Sequence, residues 1–533
     1  MTDIHRSPHL PSSLTRRRVL EGAGALAISA LLQGCSSGSL SGGGNTPFPA
    51  ANPQPTPSGT ITGASVIVGS GVVGSIAPGF VGLSFEKNRL QNRYFSAANT
   101  NLIGLFKRLG PSIMRIGGSS VDATAWTPAG KGSTTLQIAP SDIDALAAFV
   151  KATGWQCLYG INLKGLEAGA TVPTTTALGA AEIAYAAQAF GTSLMGVELG
   201  NEPDEYGFWT VTQFETAWDS MRTAILASTP NVVITGPDAA ANVPNWTVPF
   251  SQWATESKIS LLTEHYYTGS GTSPTSTAAA LLTYPDPLLT GPKFLGGLQP
   301  AAANIGVPYR MTECNSFNLG GSPGVSDSYA SALWAIDYLF TCAQFGASGV
   351  NFHSGGDGNS YTSIADDYVN TVIGVRPEYY GMLLFTLAGT GPLNMTTVSA
   401  GSLNVSAYAV QTASGGMNIV IVNKDSTNNL QVTIQLPKST PSASLLEMTQ
   451  LSTGATGPSL AAVPTSLTSG DQSAGVSIQG AEVGVDGTFG VPVLNSAGGT
   501  LYSSYPEAYT ITANKSELTC YVPALSAVLI QTV

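Results

Sequence analysis

Two short stretches carry the strongest indication of the fold: Gly200-Asn201-Glu202-Pro203 and Met311-Thr312-Glu313-Cys314-Asn315. Each places a glutamate at the end of a mostly apolar run, residues 195–199 in the first case and 307–311 in the second. Short apolar runs bounded by turn residues are typical of buried strands. If both runs are strands of one barrel, Glu202 and Glu313 face each other across a pocket.

The middle of the chain alternates strand-like and helix-like segments. Strands are predicted at residues 80–85, 113–116, 156–161, 195–199, 232–235, 261–263, 309–311 and 350–352. Helices are predicted at residues 101–109, 141–153, 177–190, 212–228, 326–345 and 377–388, with Ser141 and Asp142 capping the second of them. This alternation predicts an α/β fold, a (β/α)8 TIM barrel, over residues 76–394.

Polar residues recur at the ends of the predicted strands. They are Glu86, Gly117-Gly118-Ser119, Asn162, Asn201-Glu202, Asp238, Glu264-His265, Glu313 and His353. One polar residue after a strand means little, but the repetition matches a barrel whose functional groups lie at the carboxyl ends of its strands.

The segments that flank the barrel have a different pattern. From residue 395 to 533 short alternating runs are separated by turn residues, which predicts an antiparallel β-sandwich. Residues 59–75 are also strand-like, and we expect this N-terminal strand to join the C-terminal sheet.

The glycines at 69, 71 and 74 spell GxGxxG after a strand-like run. That pattern binds a dinucleotide only where it opens a helix within a βαβ unit. Pro78 and Gly79 follow almost at once, so the sequence favours a strand or hairpin turn.

The N-terminus has the pattern of an export signal rather than of folded structure. A twin-arginine motif, Thr15-Arg16-Arg17-Arg18-Val19-Leu20, precedes a short apolar run. Leu32-Gln33-Gly34-Cys35 resembles a lipoprotein cleavage box with Cys35 as the lipidated residue. We therefore expect residues 1–35 to be a signal peptide, residues 36–58 to be a Ser/Gly/Pro-rich linker, and the protein to be periplasmic or cell-surface, with a lipid anchor as its one membrane contact.

Composition excludes several classes of function. Charged residues are 10% of the chain and the net charge is −11, which argues against nucleic acid as a partner. The remaining cysteines, Cys157, Cys314, Cys342 and Cys520, are widely spaced and are predicted to be buried free thiols. With four histidines and no metal-ligand spacing, the sequence indicates neither a metal centre nor a cofactor.

Two facing glutamates are what acid/base cleavage of a glycosidic bond requires, one as proton donor and one as ionised nucleophile. Asn201 can donate to a substrate hydroxyl, and Pro203 stiffens the loop after Glu202. The sequence therefore predicts a retaining glycoside hydrolase.

Four motifs together resemble glycoside hydrolase family 79, which belongs to clan A and holds bacterial β-glucuronidases and heparanase. They are Arg115-Ile116-Gly117-Gly118-Ser119, Glu198-Leu199-Gly200-Asn201-Glu202-Pro203, Glu264-His265-Tyr266-Tyr267 and Glu313-Cys314-Asn315-Ser316. The resemblance runs from about residue 60 to the C-terminus and implies Glu202 as general acid/base and Glu313 as nucleophile.

The resemblance also implies a set of substrate contacts. Tyr267 would hydrogen-bond Glu313, Asn201 would meet the sugar 2-hydroxyl, and Glu86 would bind other sugar hydroxyls. Gly320, Gly321, Tyr267 and Tyr361 would hold the substrate carboxylate. Ser119 and His353 are further candidates for substrate binding by their position at strand ends.

Plainer interpretations stay open for some of these residues. His353 could be a hydrogen-bonded histidine at the barrel rim, Gly320-Gly321 a simple turn, and Asp122 a cap or a partner of Arg115. Three functions remain: an exo-acting β-glucuronidase, an endo-acting uronic-acid polysaccharide hydrolase or neutral-sugar β-glycosidase, and a non-catalytic carbohydrate-binding lipoprotein. The sparse Lys and Arg residues favour the first, a small β-glucuronide over a polyanion.

Overall fold

The computed structural model describes residues 50–207, 209–240, 242–356, 358–451, 475–494, 500–502 and 506–532. The predicted signal peptide, the lipidation site Cys35 and the first part of the linker lie outside these residues. Among the helices of the described ranges, none has both the length and the apolar character that a bilayer crossing needs.

The first two strands, β1 (Ala50–Pro53) and β2 (Ile61–Ile76), belong to the C-terminal sheet, and the barrel begins with the next strand. Eight parallel strands close the barrel: β3 (Val81–Glu86), β4 (Ile113–Gly117), β7 (Gln156–Ile161), β8 (Leu194–Leu199), β9 (Ile234–Ala239), β10 (Leu261–Ser270), β11 (Tyr309–Asn318) and β12 (Val350–Ser354). The predicted (β/α)8 barrel is confirmed.

Helices surround the barrel strands. In the described residues they are α1 (Thr100–Arg108), α2 (Pro140–Thr153), α3 (Thr176–Phe190), α4 (Val211–Ser228), α5 (Val248–Lys258), α6 (Ala278–Leu281), α7 (Pro287–Thr290), α8 (Leu295–Ile305), α9 (Tyr329–Gln344) and α10 (Pro377–Ala388). The sequence did not predict α5, α6, α7 and α8. Helix α8 carries Gly296, Gly297 and Pro300, which lower helix propensity, α5 has no strong apolar stripe, and α6 and α7 are four residues each.

The predicted cap of α2, Ser141 and Asp142, lies two to three residues too late. The helix begins at Pro140, and the residue before it, Ala139, has no capping side chain. Asp142 accepts a hydrogen bond from the Ala139 N–H at 2.9 Å and so satisfies a backbone donor from inside the first turn.

Several barrel strands extend further than the sequence predicts, β9 to Ala239 and β12 to Ser354 among them, and β10 and β11 extend furthest. β10 continues to Ser270 and β11 to Asn318, so that His265, Tyr267 and Glu313 lie within strands rather than after them. A polar residue marks the end of a strand only where its side chain reaches water. Here His265 and Glu313 are buried inside the barrel mouth, where they bind other side chains of the barrel. Their backbone therefore stays in the sheet.

The second sheet contains eleven strands of the described residues, in the order β1-β25-β26-β18-β2-β15-β16-β17-β27-β19-β20. Their bounds after β2 are β15 (Gly391–Ser399), β16 (Val405–Gln411), β17 (Met417–Asn423), β18 (Asn429–Gln435), β19 (Ser442–Gln450), β20 (Val476–Ile478), β25 (Ala508–Asn514), β26 (Glu517–Val522) and β27 (Ser526–Thr532). An additional pairing of β25 with β19 brings the two halves of the sheet together. The pairings are antiparallel except β1 with β25 and β2 with β18, and both exceptions involve a strand contributed by the N-terminal segment.

Short two-stranded pairings complete the described chain. They are β5 (Ala125–Trp126) with β6 (Gln137–Ile138), β13 (Ile364–Asp366) with β14 (Val372–Val375), β21 (Glu482–Val483) with β22 (Phe489–Gly490), and β23 (Pro492–Leu494) with β24 (Thr500–Tyr502). The β13–β14 hairpin follows the last barrel strand and therefore lies on the side of the barrel that carries the polar strand ends.

Strand β2 contains the whole GxGxxG sequence, as the strand interpretation predicted. It pairs with β15 along nearly its full length. A Cβ on Gly74 would lie 2.2 Å from the carbonyl oxygen of Ala343 in α9. Glycine at this position therefore lets the second sheet approach the barrel helices closely.

The barrel and the second sheet share an apolar core, and the sheet has a second core of its own. A buried polar cluster joins the two: Asp337 of α9 accepts hydrogen bonds from Lys424 at 2.6 Å and from Tyr408 at 2.8 Å. The four described cysteines are buried and unpaired, as predicted.

Candidate active site

The predicted site residues converge on the carboxyl end of the barrel. Glu86 ends β3, Tyr267 lies in β10, Glu313 in β11 and His353 in β12. Glu202 follows β8 by three residues and has a positive φ of 49°. A non-glycine residue in this region of φ/ψ space is strained, and such strain is concentrated at functional sites.

The two glutamates lie close together. A carboxylate oxygen of Glu202, a ring nitrogen of His265 and a carboxylate oxygen of Glu313 are all within 4.8 Å of one another. The side chain of Glu202 is 26% exposed, whereas that of Glu313 is 9% exposed. One carboxylate is therefore open to solvent and the other is enclosed by the barrel.

Arg115 of β4 is fully buried beneath this pair. A guanidinium has five N–H donors, and here they reach five different residues: Glu198, Ser84, Glu313, Asn201 and Asp238. The distances are 2.7 Å to Glu198, 2.6 Å to Glu313 and 2.8 Å to Asn201. Arg115 therefore fixes the nucleophile candidate and the amide of Asn201 with one rigid group.

His265 links the acid/base candidate to the same network. Its Nδ1 lies 2.9 Å from Glu202 Oε1, and its Nε2 lies 2.9 Å from Asp238 Oδ1. Burial lowers the pKa of His265, but Asp238 and Glu313 outweigh burial and hold that pKa well above its usual value. The ring is therefore an imidazolium that donates to Asp238 and to one carboxyl oxygen of Glu202.

Glu313 is held as an anion. Burial raises the pKa of Glu313, but the cationic His353, His265 and Arg115 outweigh it, and together with the Tyr267 hydrogen bond they lower the pKa to about 2. Tyr267 Oη donates to Glu313 Oε1 at 2.7 Å. An ionised, well-oriented carboxylate is what a nucleophile requires.

Glu202, His265 and Glu313 are also spaced closely enough to hold a metal ion. A histidine binds a metal through a nitrogen lone pair. Both nitrogens of His265 hydrogen-bond to carboxyl groups, so a metal ion here would have to displace one of these bonds. The geometry is thus that of a hydrogen-bonded acid/base cluster.

Glu86 forms a second fixed carboxylate. It accepts hydrogen bonds from the Ser120 N–H at 2.8 Å and from the Ser119 hydroxyl at 3.2 Å. His353 Nε2 lies 3.7 Å from Glu86, and His353 Nδ1 lies 3.5 Å from Glu313. Burial raises the pKa of Glu86, but His353 outweighs it and lowers that pKa, so Glu86 can accept hydrogen bonds from substrate hydroxyls.

The residues predicted to hold a substrate carboxylate also lie together. The rings of Tyr267 and Tyr361 are 6.2 Å apart, and the Tyr361 N–H donates to the Gly320 carbonyl at 3.3 Å. Two of the expected donors are engaged within the protein. The Gly321 N–H donates to the Asn318 carbonyl at 3.1 Å, and the single hydroxyl hydrogen of Tyr267 goes to Glu313.

Sequence reasoning missed the partners of Arg115. Glu198 and Asp238 are buried carboxyl groups of the site, and neither was given a role from the sequence, although Asp238 is among the polar strand-end residues and Glu198 is in one of the motifs. Asp122, considered as a partner of Arg115, instead accepts from the N–H groups of Leu163 and Lys164 at 3.1 Å each. One feature of the sequence could have indicated this network. Glu198 lies inside an apolar strand, and a charged residue at such a position must have a buried partner.

No known protein-family profile matches the chain. Two curated fungal proteins are similar to it, and both are named β-glucuronidase. The Aspergillus niger protein is 24% identical over 357 residues, which are 58% of this chain and 63% of the relative. The Neurospora crassa protein is 23% identical over 340 residues, 55% of this chain and 59% of the relative. The chain thus spans less than two thirds of the length of the curated relatives it matches.

Several solved structures share the architecture. A 4-O-α-L-rhamnosyl-β-D-glucuronidase from Fusarium oxysporum, solved as a Rha-GlcA complex, superposes with a TM-score of 0.66 at 18% identity and covers 89% of this chain and 100% of its own. A family 51 arabinofuranosidase from Xanthomonas axonopodis pv. citri gives a TM-score of 0.59 at 14% identity, again over 89% and 100%. At these identities the likeness shows the fold.

Proposed function

We propose that this protein is a retaining, exo-acting β-glucuronidase of glycoside hydrolase family 79, within clan A. It would remove β-linked glucuronic acid from the non-reducing end of glycoconjugates or oligosaccharides. The observation that carries the proposal is the close pair of Glu202 and Glu313, one exposed and one held ionised, at the carboxyl end of the barrel.

The separation of the pair favours retention. Retaining glycosidases have carboxyl groups about 5–5.5 Å apart, whereas inverting enzymes need about 6.5–9.5 Å to admit a water between sugar and base. One oxygen of Glu202 and one of Glu313 lie within 4.8 Å of each other, which is closer to the retaining separation than to the inverting one.

The reaction then proceeds in two displacements. Glu313 attacks the anomeric carbon while Glu202 gives its proton to the departing oxygen, and the product is a glycosyl ester on Glu313. Glu202, now ionised, takes a proton from water, which attacks the same carbon and releases Glu313 as a carboxylate. Arg115 and Tyr267 lie against Glu313 throughout and stabilise the carboxylate in the step that regenerates it.

The sugar would be positioned by the fixed polar groups around the pair. Arg115 holds the Asn201 amide by its oxygen, which directs the amide nitrogen to the sugar 2-hydroxyl. Glu86, steadied by Ser119, would accept from hydroxyls further around the ring. Tyr361 and the N–H of Gly320 in the Gly320-Gly321 turn would receive the C5 carboxylate.

The choice of glucuronide rests on two supports. Both curated relatives that the chain matches are named β-glucuronidase. Hydroxyl and backbone N–H groups in a partly dry pocket can bind a carboxylate without a full opposing charge.

The export signal predicted from the N-terminal sequence would place this activity in the periplasm or at the cell surface, with Cys35 as the lipid-anchored residue.

The test is a comparison of kcat/KM for p-nitrophenyl β-glucuronide, β-glucoside and β-galactoside with purified protein. We expect the glucuronide to be preferred. A preference for either neutral sugar would overturn the glucuronidase assignment but leave a retaining β-glycosidase.

Glu313→Gln provides the matched inactive control, because it keeps the size and shape of the side chain and removes the anionic nucleophile. Its turnover should fall by on the order of 10³-fold or more while circular dichroism stays unchanged. Near-normal turnover of this variant would contradict the assignment of Glu313.

A further inference from the structure

Asn315 is a fully buried amide two residues beyond Glu313 on β11. Its Nδ2 lies 2.9 Å from the carbonyl oxygen of His353 and 3.1 Å from that of Tyr361. Its Oδ1 accepts from the Ser316 N–H at 2.6 Å. Only one orientation of the amide places its donors on the two carbonyls and its acceptor on the N–H.

These contacts begin where the strand pairing ends. The last paired residues of β11 and β12 are Cys314 and Phe352. Tyr361 lies beyond β12 and outside any strand, with its N–H on the Gly320 carbonyl. Asn315 therefore ties the end of β12 and the Tyr361 segment to the strand that carries the nucleophile.

Glu313 itself does not depend on this tie. It is paired with His265 in the β10–β11 ladder, and its two carboxylate oxygens are bound by Arg115 and Tyr267. The pairing of β12 with β3 also holds His353, and the Gly320 carbonyl also holds Tyr361. Loss of the Asn315 amide would therefore loosen the wall of the pocket and leave the nucleophile in place.

We propose that Asn315 is a positioning residue that sets the substrate specificity of the site by holding Tyr361 and His353 at a fixed distance from the nucleophile. The inference rests on the proposed glucuronidase function, in which Tyr361 faces the substrate carboxylate. Asn315 touches no substrate in this account and acts through the two residues whose backbone it binds.

Glu378, at the start of α10, faces the same amide at 3.4 Å. Burial raises the pKa of Glu378 well above its usual value, so the carboxyl is neutral. It does not attract the amide as an anion would, and the shorter contacts to His353 and Tyr361 determine the amide's position.

Asn351 offers a matched control in the same barrel. It is also a fully buried asparagine, and its Nδ2 bridges the carbonyls of Leu83 and Ile113 at 3.0 Å each. These carbonyls belong to β3 and to the first residue of β4, away from the catalytic pair. Replacing Asn351 removes the same kind of bond, together with the bond that its Oδ1 accepts from Arg310 Nε at 2.6 Å, and its side chain contacts neither Tyr361 nor His353.

The experiment measures kcat and KM of the wild type, Asn315→Ala and Asn351→Ala with p-nitrophenyl β-glucuronide and β-glucoside, together with each melting temperature. For Asn315→Ala we expect kcat/KM on the glucuronide to fall by at least about tenfold, mainly through KM, and the glucoside value to change by less than about threefold. Asn351→Ala should change both substrates by the same factor.

The inference is overturned if Asn315→Ala lowers kcat/KM equally for both substrates or for neither. A residue with a purely structural role would leave the ratio of kcat/KM between glucuronide and glucoside unchanged. If Asn315→Ala does not fold, Asn315→Ser is measured in its place, and the same ratio decides. A wild type that shows no preference for the glucuronide overturns the proposed function and the inference together, whereas a preference that Asn315 does not influence overturns the inference alone.

Discussion

Removal of one hydroxyl group from Tyr267 should make the ionisation of Glu313 visible in the pH profile. Tyr267 donates to Glu313 at 2.7 Å and contributes to a pKa of about 2 for that carboxyl. A hydrogen bond to a charged group is worth about 1.5–3 kcal/mol, and one pKa unit corresponds to about 1.4 kcal/mol, so Tyr267→Phe should raise the pKa of Glu313 by about 1 to 2.

The assay is kcat/KM for an aryl glucuronide between about pH 3 and pH 8, because the acid limb of this parameter reports the nucleophile in the free enzyme. Protonation of Glu313 abolishes attack, so a raised pKa moves the acid limb to higher pH. The wild type should lose little activity above about pH 3, and Tyr267→Phe should begin to lose it about 1 to 2 pH units higher.

Tyr266 supplies the control. It precedes Tyr267 on β10, points to the opposite face of the strand, and donates to Asp286 at 2.6 Å. Tyr266→Phe removes a comparable bond outside the site and should leave the acid limb where it is in the wild type. Superimposable pH profiles for Tyr267→Phe and the wild type would refute the electrostatic account of Glu313.

Three further outcomes are expected. Glu202→Ala should lose far more activity on substrates with poor leaving groups than on those with good ones, and azide should partly restore the second step; equal losses without rescue would refute the acid/base role. Burial raises the pKa of Glu198 to about 8. Between about pH 4 and pH 8 the native state therefore keeps a proton that the unfolded chain releases, and the free energy of unfolding falls as pH rises through this window. Glu198→Gln should therefore gain in unfolding free energy over the wild type across that window, and parallel curves would contradict this. Asp337→Ala should lower the free energy of unfolding in denaturant by about 3–5 kcal/mol, because it leaves the buried Lys424 without its carboxylate partner. Asp219→Ala, which removes the partner of Lys258, should lower it by less than about 1 kcal/mol, because the Asp219 side chain is 37% exposed.

The barrel was predictable because its signal is local and repeated. Each strand is a short apolar run, most are followed by a helical pattern, and polar residues such as Glu86 and His353 recur near their ends. The strand character of the GxGxxG segment was equally readable, since Pro78 and Gly79 leave no length for a helix.

The network beneath the site was not predictable from local pattern. The five acceptors of Arg115 come from β3, β8, β9, β11 and the turn after β8, and only the closed barrel brings them to one guanidinium. The ends of β10 and β11 could not be predicted for the same reason. Their polar side chains bind other side chains inside the barrel, so they do not show where each strand ends.

The most direct test of the two-glutamate mechanism is to trap the covalent intermediate. Incubation with a 2-deoxy-2-fluoro-β-glucuronide that carries a good leaving group, followed by peptide mass spectrometry, should find one sugar attached to the peptide that contains Glu313 and none in Glu313→Gln. A label on another residue, or hydrolysis whose first product by NMR is the α-anomer, would contradict the mechanism.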